Sequence, residues 1–454
     1  MHSKYSRAVS QDMTLPKMSE WAKYKGINVL ATGDFTHPFW FEQLKNELED
    51  TGNGLYQLKR HETWDKGQDI YFLLSCEISS IYSQGGQTRR VHNLFFFPSL
   101  KSVEKFNELL RKRGANLRSD GRPIVGITSR DLAQIALDVD DKALIIPAHA
   151  WTPWFSVFGS FSGFDSIEEC FGDMAPYIYG IETGLSSDPA MNWQVGDLDN
   201  RAILSFSDAH SLEKMGREAT VFEAGEISYE AIYEAVKSES TKELKSKSGM
   251  DSNTLALKNS NSPKIAFTIE FYPEEGKYHF TGHRDCNVSL SPAETRQKGE
   301  TCPVCGKALT VGVMHRVEEL TTKNAKQETR NVDGVRWVYP QGTSRPPFVS
   351  LVPLYEIIAE SFGVAPKTKK VADCYNLLVN NFENELSVLL KINTSDLSRF
   401  APAKVVDGIK KVREGNIKIE PGYDGKFGEV KIWEEENSNE RENQPESQLN
   451  LFAG

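Results

Sequence analysis

The chain has 454 residues, with 53 Lys+Arg against 63 Asp+Glu for a net charge of −10, and 39% of its residues are apolar. It is long enough for several domains, and no apolar run approaches the ~20 residues needed to cross a bilayer. The start "MHSKYSRAVSQDM" lacks the apolar segment of a signal peptide, and six cysteines are too few for a disulfide scaffold, so no membrane partner and a reducing, cytoplasmic setting are expected.

In chain order, short apolar runs alternate with amphipathic stretches up to about residue 237. "INVLATGD", "IYFLLSCE", "VHNLFFF", "ALIIPAHA", "YIYGIET" and "AILSFSDAH" have the length and composition of buried strands. "LPKMSEWAKYKG", "FWFEQLKNELED", "VEKFNELLRKRG" and "SRDLAQIALDV" have helical spacing. The alternation predicts an α/β fold of parallel βα units. Residues 238–262 are Ser/Lys/Asn-rich and read as a linker or insertion. Residues 263–330 hold three of the six cysteines, and 331–433 turn to helical spacing, as in "VPLYEIIAESFG". Residues 434–454 are acidic and polar, and their composition predicts disorder.

Chemistry gathers at the ends of the predicted strands. His37 follows "INVLATGD" in "GDFTHP", His92 opens "VHNLFFF", His149 ends "ALIIPAHA" and His210 ends "AILSFSDAH", while His2 lies at the start. Asp34, Glu77 and Asp208 share that placement; His61 does not and reads as a surface residue. C-terminal strand ends of parallel βα units converge on one face, so these groups can meet in one pocket. Imidazoles with bridging carboxylates suit zinc, manganese or iron.

"HSKYS", "TGDFTHP", "CEIS", "PAHAW" and "SDAHS" together resemble the PHP (polymerase and histidinol phosphatase) metal-dependent phosphoesterases. The resemblance implies a PHP-type distorted (β/α)7 barrel over residues 1–237. It also implies catalytic roles for Glu77, Asp208 and Asp34, with zinc, manganese or magnesium in the cluster. Glu77 would bridge two ions, one on His92 and His149 and one on His2 and Asp208, with His37 and His210 at a third. The family opens with Asp-Leu-His-x-His-Ser, and this chain begins at the x, Met1. One histidine ligand and the first strand are thus expected to be missing through an internally assigned start. "GDFTHP" spaces Asp34 and His37 by two residues where the family has them adjacent, leaving open which is the ligand.

A second site is legible from spacing alone. His283-x2-Cys286 and Cys302-x2-Cys305, separated by fifteen residues, have zinc-ribbon spacing. Four protein ligands close the coordination, so this zinc is expected to be structural, within a zinc-binding module over 263–330. Cys76, Cys170 and Cys374 read as buried thiols.

"TIEFYPEEGKYHFTGHRDC", "CPVCGKALTVGVMHRVEEL" and "VREGNIKIEPGYDGKFGEVKI" extend the likeness, and over residues 1–433 the chain resembles the endonuclease Q family. That resemblance implies a PHP barrel, a zinc module and a helical C-terminal domain over 331–433. The implied reaction is cleavage of damaged DNA 5′ of deaminated bases (uracil, hypoxanthine, xanthine) or abasic sites, leaving a 3′-hydroxyl and a 5′-phosphate. Deaminated bases pair poorly, which lowers the cost of flipping them out. Trp151, Trp154 and Phe155, directly after His149, are candidates for stacking on a base, and basic clusters for gripping the backbone. The clusters are Arg111, Lys112, Arg113, Arg118 and Arg122 in one segment, and Lys410, Lys411 and Arg413 in another. The alternatives are a PHP phosphatase acting on a small phosphomonoester and a non-catalytic DNA-binding adaptor.

The chain ends "QPESQLNLFAG", and Gln448, Leu449, Leu451 and Phe452 resemble the pentapeptide with which bacterial proteins bind the DNA sliding clamp. Residues 434–446 carry −5 of the net −10, so half of the acidity belongs to this tail and does not exclude DNA from the body.

Overall fold

A computed structural model describes residues 1–59, 70–247 and 262–433. All six predicted strands contain strand structure, at Val29–Ala31, Tyr71–Gln84, Gln87–Phe97, Leu144–Pro147, Gly180–Glu182 and Ala202–Leu204. The four predicted helices form at Leu15–Lys25, Pro38–Glu47, Leu100–Lys112 and Ser129–Val139. Local chemistry explains their limits. Ser99 and Thr128 accept N-capping hydrogen bonds from Ser102 N and Asp131 N. Gly26 ends its helix at φ +85°, where a Cβ would lie 2.5 Å from Asn384 Oδ1.

The strands are not uniformly parallel. Tyr71–Gln84 and Gln87–Phe97 form a long antiparallel hairpin, joined through Gly85 and Gly86 at φ +62° and +77°. Two consecutive positive-φ residues make the turn that matches strand twist, and no helix intervenes to allow a parallel crossover. Leu144–Pro147 pairs antiparallel with the hairpin's second strand, Val29–Ala31 runs parallel to its first, and Gly180–Glu182 runs parallel to Ala202–Leu204. A cavity of about 610 Å³ lies between these strands, lined by Leu30, Leu144 and Leu204 and, at its polar part, by Glu77, Glu182 and Asp208.

A five-stranded sheet crosses the expected segment boundaries. It runs in the order Ala219–Glu223, Lys264–Glu270, Phe348–Ser350, Val335–Pro340, Gln327–Val332. The helix Tyr229–Lys247 likewise continues into the expected linker. Beyond the sheet, helices Leu354–Phe362, Lys369–Asn381, Glu385–Leu390 and Ala403–Glu414 enclose a core including Ile357, Leu378 and Ile409. This region docks on the first helix through a buried ion pair, Lys25 Nζ to Glu385 at 2.7 Å, whose carboxylate also accepts from Tyr375 Oη (2.8 Å) and Leu354 N (3.0 Å). No helix among the described residues is long and apolar enough to cross a membrane.

Candidate active site

The hairpin positions Glu77 and His92 on neighbouring strands, with Ser79 rather than Glu77 directly opposite His92. Glu77 is 4% exposed and faces three imidazoles: Oε1 lies 2.5 Å from His92 Nδ1 and 3.6 Å from His149 Nε2, and Oε2 lies 3.0 Å from His2 Nε2. His92 Nδ1 and His149 Nε2 are themselves 3.1 Å apart. On the other flank, His2 Nε2 stands 3.5 Å from Asp208 Oδ1. His210 Nδ1 lies 2.9 Å from the Asp208 carbonyl, which can only accept, so Nδ1 carries a proton.

Burial by itself would raise the Glu77 carboxyl, but His92 and Arg122 hold it well below its usual range. Burial pushes His92 down to about 4, leaving a neutral imidazole with a lone pair to give. Glu182 accepts from His149 N at 2.7 Å and is pushed up to about 7, chiefly by burial. Gly184 abuts His149 from behind: its φ is +62°, and a Cβ there would meet His149 Cβ at 2.5 Å.

Two sets of ligand atoms converge, each within 4.8 Å: His2, Asp208 and His210, and Glu77, His92 and His149. The chemistry fits metal ions. His2 Nε2 is buried without a hydrogen bond of good geometry although two carboxylates face it, and Glu77 touches members of both sets. His283, Cys286, Cys302 and Cys305 also converge, with His283 Nδ1 3.6 Å from Cys305 Sγ, as their spacing predicts.

Two of the expected ligands stand outside both sets, and two expected DNA contacts need correction. Asp34 joins neither set; it is fully buried, and its carboxylate accepts from Ser3 N (2.6 Å), Ser3 Oγ (2.7 Å) and Ser6 Oγ (3.0 Å) while Oδ1 meets His2 Nδ1 at 2.9 Å. Both of its oxygens are thereby engaged, Oδ2 by the serines and Oδ1 by the His2 ring. His37 also lies outside both sets, stacked on Tyr5 at 4.6 Å, and His210 groups with His2 and Asp208 instead. Trp151 is 1% exposed, donates to Asn192 Oδ1 at 2.7 Å and stacks on Phe158, so no base can reach it. Arg413 is buried and donates to the Val388, Leu389 and Ile392 carbonyls at a helix end, so it is not a DNA contact.

The other expected contacts keep exposed surface. Arg111, Lys112, Arg113, Arg118 and Lys410 are exposed, and Lys411 and Trp154 are half-buried. Trp154 lies flat on Phe161 at 4.8 Å. His61 and the clamp-like residues Gln448, Leu449, Leu451 and Phe452 lie outside the described residues. Sequence reasoning passed over two groups at the site. Arg122, counted only as a basic residue, reaches Glu77 at 3.3 Å. Glu182 ends "YIYGIE" and obeys the same strand-end rule that identified its neighbours.

An α/β chain with imidazoles and carboxylates set around a bridging glutamate belongs to the PHP class of folds, and a PHP-associated family model matches residues 202–241. The model named MJ0043 C-terminal domain matches residues 353–416. The Bacillus subtilis protein YqxK is 29% identical over 432 residues, 93% of each chain. The Methanocaldococcus jannaschii protein MJ0043 is 30% identical over 302 residues, 65% of this chain, and the match spans 33% of that longer protein. The crystal structure of the lesion-specific endonuclease PfuEndoQ from Pyrococcus furiosus superposes with a TM-score of 0.76 at 30% identity, covering 95% of this chain and 94% of that one. A structure of endonuclease Q with a 27-mer duplex bearing an abasic lesion at its active site gives a TM-score of 0.77 at 31% identity, covering 95% of each chain. The chain belongs to the endonuclease Q family.

Proposed function

We propose that this protein is a DNA repair endonuclease that hydrolyses the phosphodiester 5′ of deaminated bases and abasic sites, leaving a 3′-hydroxyl and a 5′-phosphate. The observation that carries the reading is Glu77, one buried carboxylate in contact with His2, His92 and His149 at once, a donor set that suits metal ions and that a structural core does not need. Similarity to a solved complex with abasic duplex supports DNA as the substrate.

Residues His2, Asp208 and His210 would hold one metal and Glu77, His92 and His149 another, zinc, manganese or magnesium. Such ions supply an activated water and neutralise charge on the phosphate during in-line displacement. The protein's own groups prepare the site. Asp34 fixes the His2 ring, and Glu182 fixes the backbone that carries His149. Arg122 keeps its charge because Glu77 and Asp208 outweigh its burial, placing a guanidinium beside the bridging carboxylate where a phosphate oxygen would develop charge. The backbone N–H of His92 donates to Phe155 O at 3.0 Å, so the aromatic loop after His149 is pinned to a ligand strand, with Trp154 and Phe161 as its stacking pair.

In the same reading, the zinc module and C-terminal region extend the DNA-binding surface, and Gln448–Phe452, at the end of an acidic segment, tether the enzyme to the sliding clamp. The test is incubation of duplexes carrying uracil, hypoxanthine or an abasic site with the full chain and Mn²⁺ or Mg²⁺. A single nick 5′ of the lesion, lost in Glu77→Gln while duplex binding persists, is expected. Absence of the nick together with hydrolysis of a small phosphomonoester would place the protein among the PHP phosphatases.

A further inference from the structure

Outside the active site, one more set of ligand-type side chains converges. His315 and Glu319 lie one turn apart on the helix Val313–Leu320 and share a face. Glu300, two residues before the zinc-module Cys302, supplies a third donor, and one ligand atom from each of the three lies within 4.8 Å of the others. The set is not merely acidic. His315 is 7% exposed, and its Nδ1 is buried with no hydrogen-bond partner. Its Nε2 stands 3.6 Å from Glu319 Oε1, beyond hydrogen-bond reach, so a buried imidazole meets two carboxylates without being satisfied by either.

Charge points the same way. Glu319 uses Oε2 to accept from Arg316 at 3.1 Å, which offsets one carboxylate. Among the described residues Glu300 makes no ion pair, so two carboxylates meet one imidazole with only Arg316, itself shared with Asp165, to offset them. Arg296 is spent on Glu318, on the same helix, and does not relieve it.

We propose that Glu300, His315 and Glu319 form a second metal site of the zinc module, taking a divalent first-row cation such as Mn²⁺. One imidazole and two carboxylates leave further coordination positions to water, a donor set unlike the thiolate-rich site nearby. Exposed Glu300 can swing inward to close the distance, whereas His315 is already fixed by burial. The ion would fasten the segment entering the Cys302–Cys305 knuckle to the helix. That helix also carries Arg316, which donates to Phe158 O (3.1 Å) and Phe164 O (3.2 Å) in the loop following His149. The site would therefore brace the zinc module against the aromatic loop, and it stands whether or not the DNA reading does.

Mn²⁺ itself is the probe. Crystals of the full chain soaked in MnCl2 should give an anomalous peak between Glu300, His315 and Glu319. In solution, the wild type should bind one more Mn²⁺ per chain, by electron paramagnetic resonance, than either Glu319→Gln or Glu300→Gln. Glu300 is exposed, so its variant folds even if changes at the helix do not. Equal Mn²⁺ counts in wild type and both variants would overturn the site. A peak in soaked crystals without the extra solution equivalent overturns it too.

Discussion

Replacing Asp34 with Asn changes one atom and separates an orienting role from a ligand role. Three donors converge on Asp34 Oδ2, from Ser3 N, Ser3 Oγ and Ser6 Oγ, whereas Oδ1 meets only His2 Nδ1. The asparagine oxygen therefore stays with the serines, and its NH2 turns toward His2. A donor facing Nδ1 requires a lone pair there, so the ring proton shifts to Nε2, the nitrogen aimed at Glu77 and Asp208. Losing such a partner behind a metal-binding histidine costs ~10–100-fold in metal affinity. That corresponds to about 1.4–2.7 kcal/mol. The carboxylate is ionised in the wild type, because His2 and the Ser3 donors outweigh a burial that would raise it. The assay is nicking of a lesion duplex across an Mn²⁺ titration. Asp34→Asn should move the midpoint up by that factor and recover most of the wild-type plateau. If activity stays at background at every Mn²⁺ concentration while Glu77→Gln behaves identically, Asp34 is itself a ligand and the orienting argument fails.

Lys25→Met leaves Glu385 buried without its cation, and removing one partner of a buried pair costs ~3–5 kcal/mol. Tyr375 and Leu354 N still bond the carboxylate, so the lower end of that range is expected as a fall in the urea midpoint of the full chain. Glu270 is fully buried and pushed up to about 8, chiefly by burial, so the folded state holds a proton that the unfolded chain releases at ~4.3. Its favourable contribution is complete below ~4.3 and declines as pH rises toward about 8. Glu270→Gln, which cannot ionise, should flatten the loss of thermal stability over that interval; an unchanged profile refutes the assignment. On the proposal that zinc fills the set His283, Cys286, Cys302 and Cys305, Cys305→Ser should give up that metal to a chromogenic chelator under conditions where the wild type retains it, with loss of local protection in hydrogen exchange.

Much of this molecule was legible locally. Position in or just after the apolar runs singled out Glu77, His92, His149, Asp208 and His210, although Glu77 and His92 lie mid-strand rather than at strand ends. β-branched and aromatic runs marked six strands and helical spacing marked four helices, because periodicity and spacing are properties of neighbouring residues. The four zinc-type ligands were legible for the same reason. What the tertiary structure decided is which group spends its polar atoms on which. Asp34 and His37 share a motif, yet Asp34 spends its carboxylate on Ser3, Ser6 and the His2 ring, whereas His37 stacks on Tyr5 with its Nδ1 buried and unbonded. Trp151 and Trp154 are three residues apart, but only Trp151 is sealed under Asn192 and Phe158. Arg413 sits in a basic run and is drawn inward by carbonyls more than twenty residues earlier. The pairing of Ala219–Glu223 with Lys264–Glu270 likewise joins segments that composition separates. Residue type sets what a side chain is able to bind, but burial and hydrogen-bond partners come from segments distant in sequence, and only the packed chain brings them together.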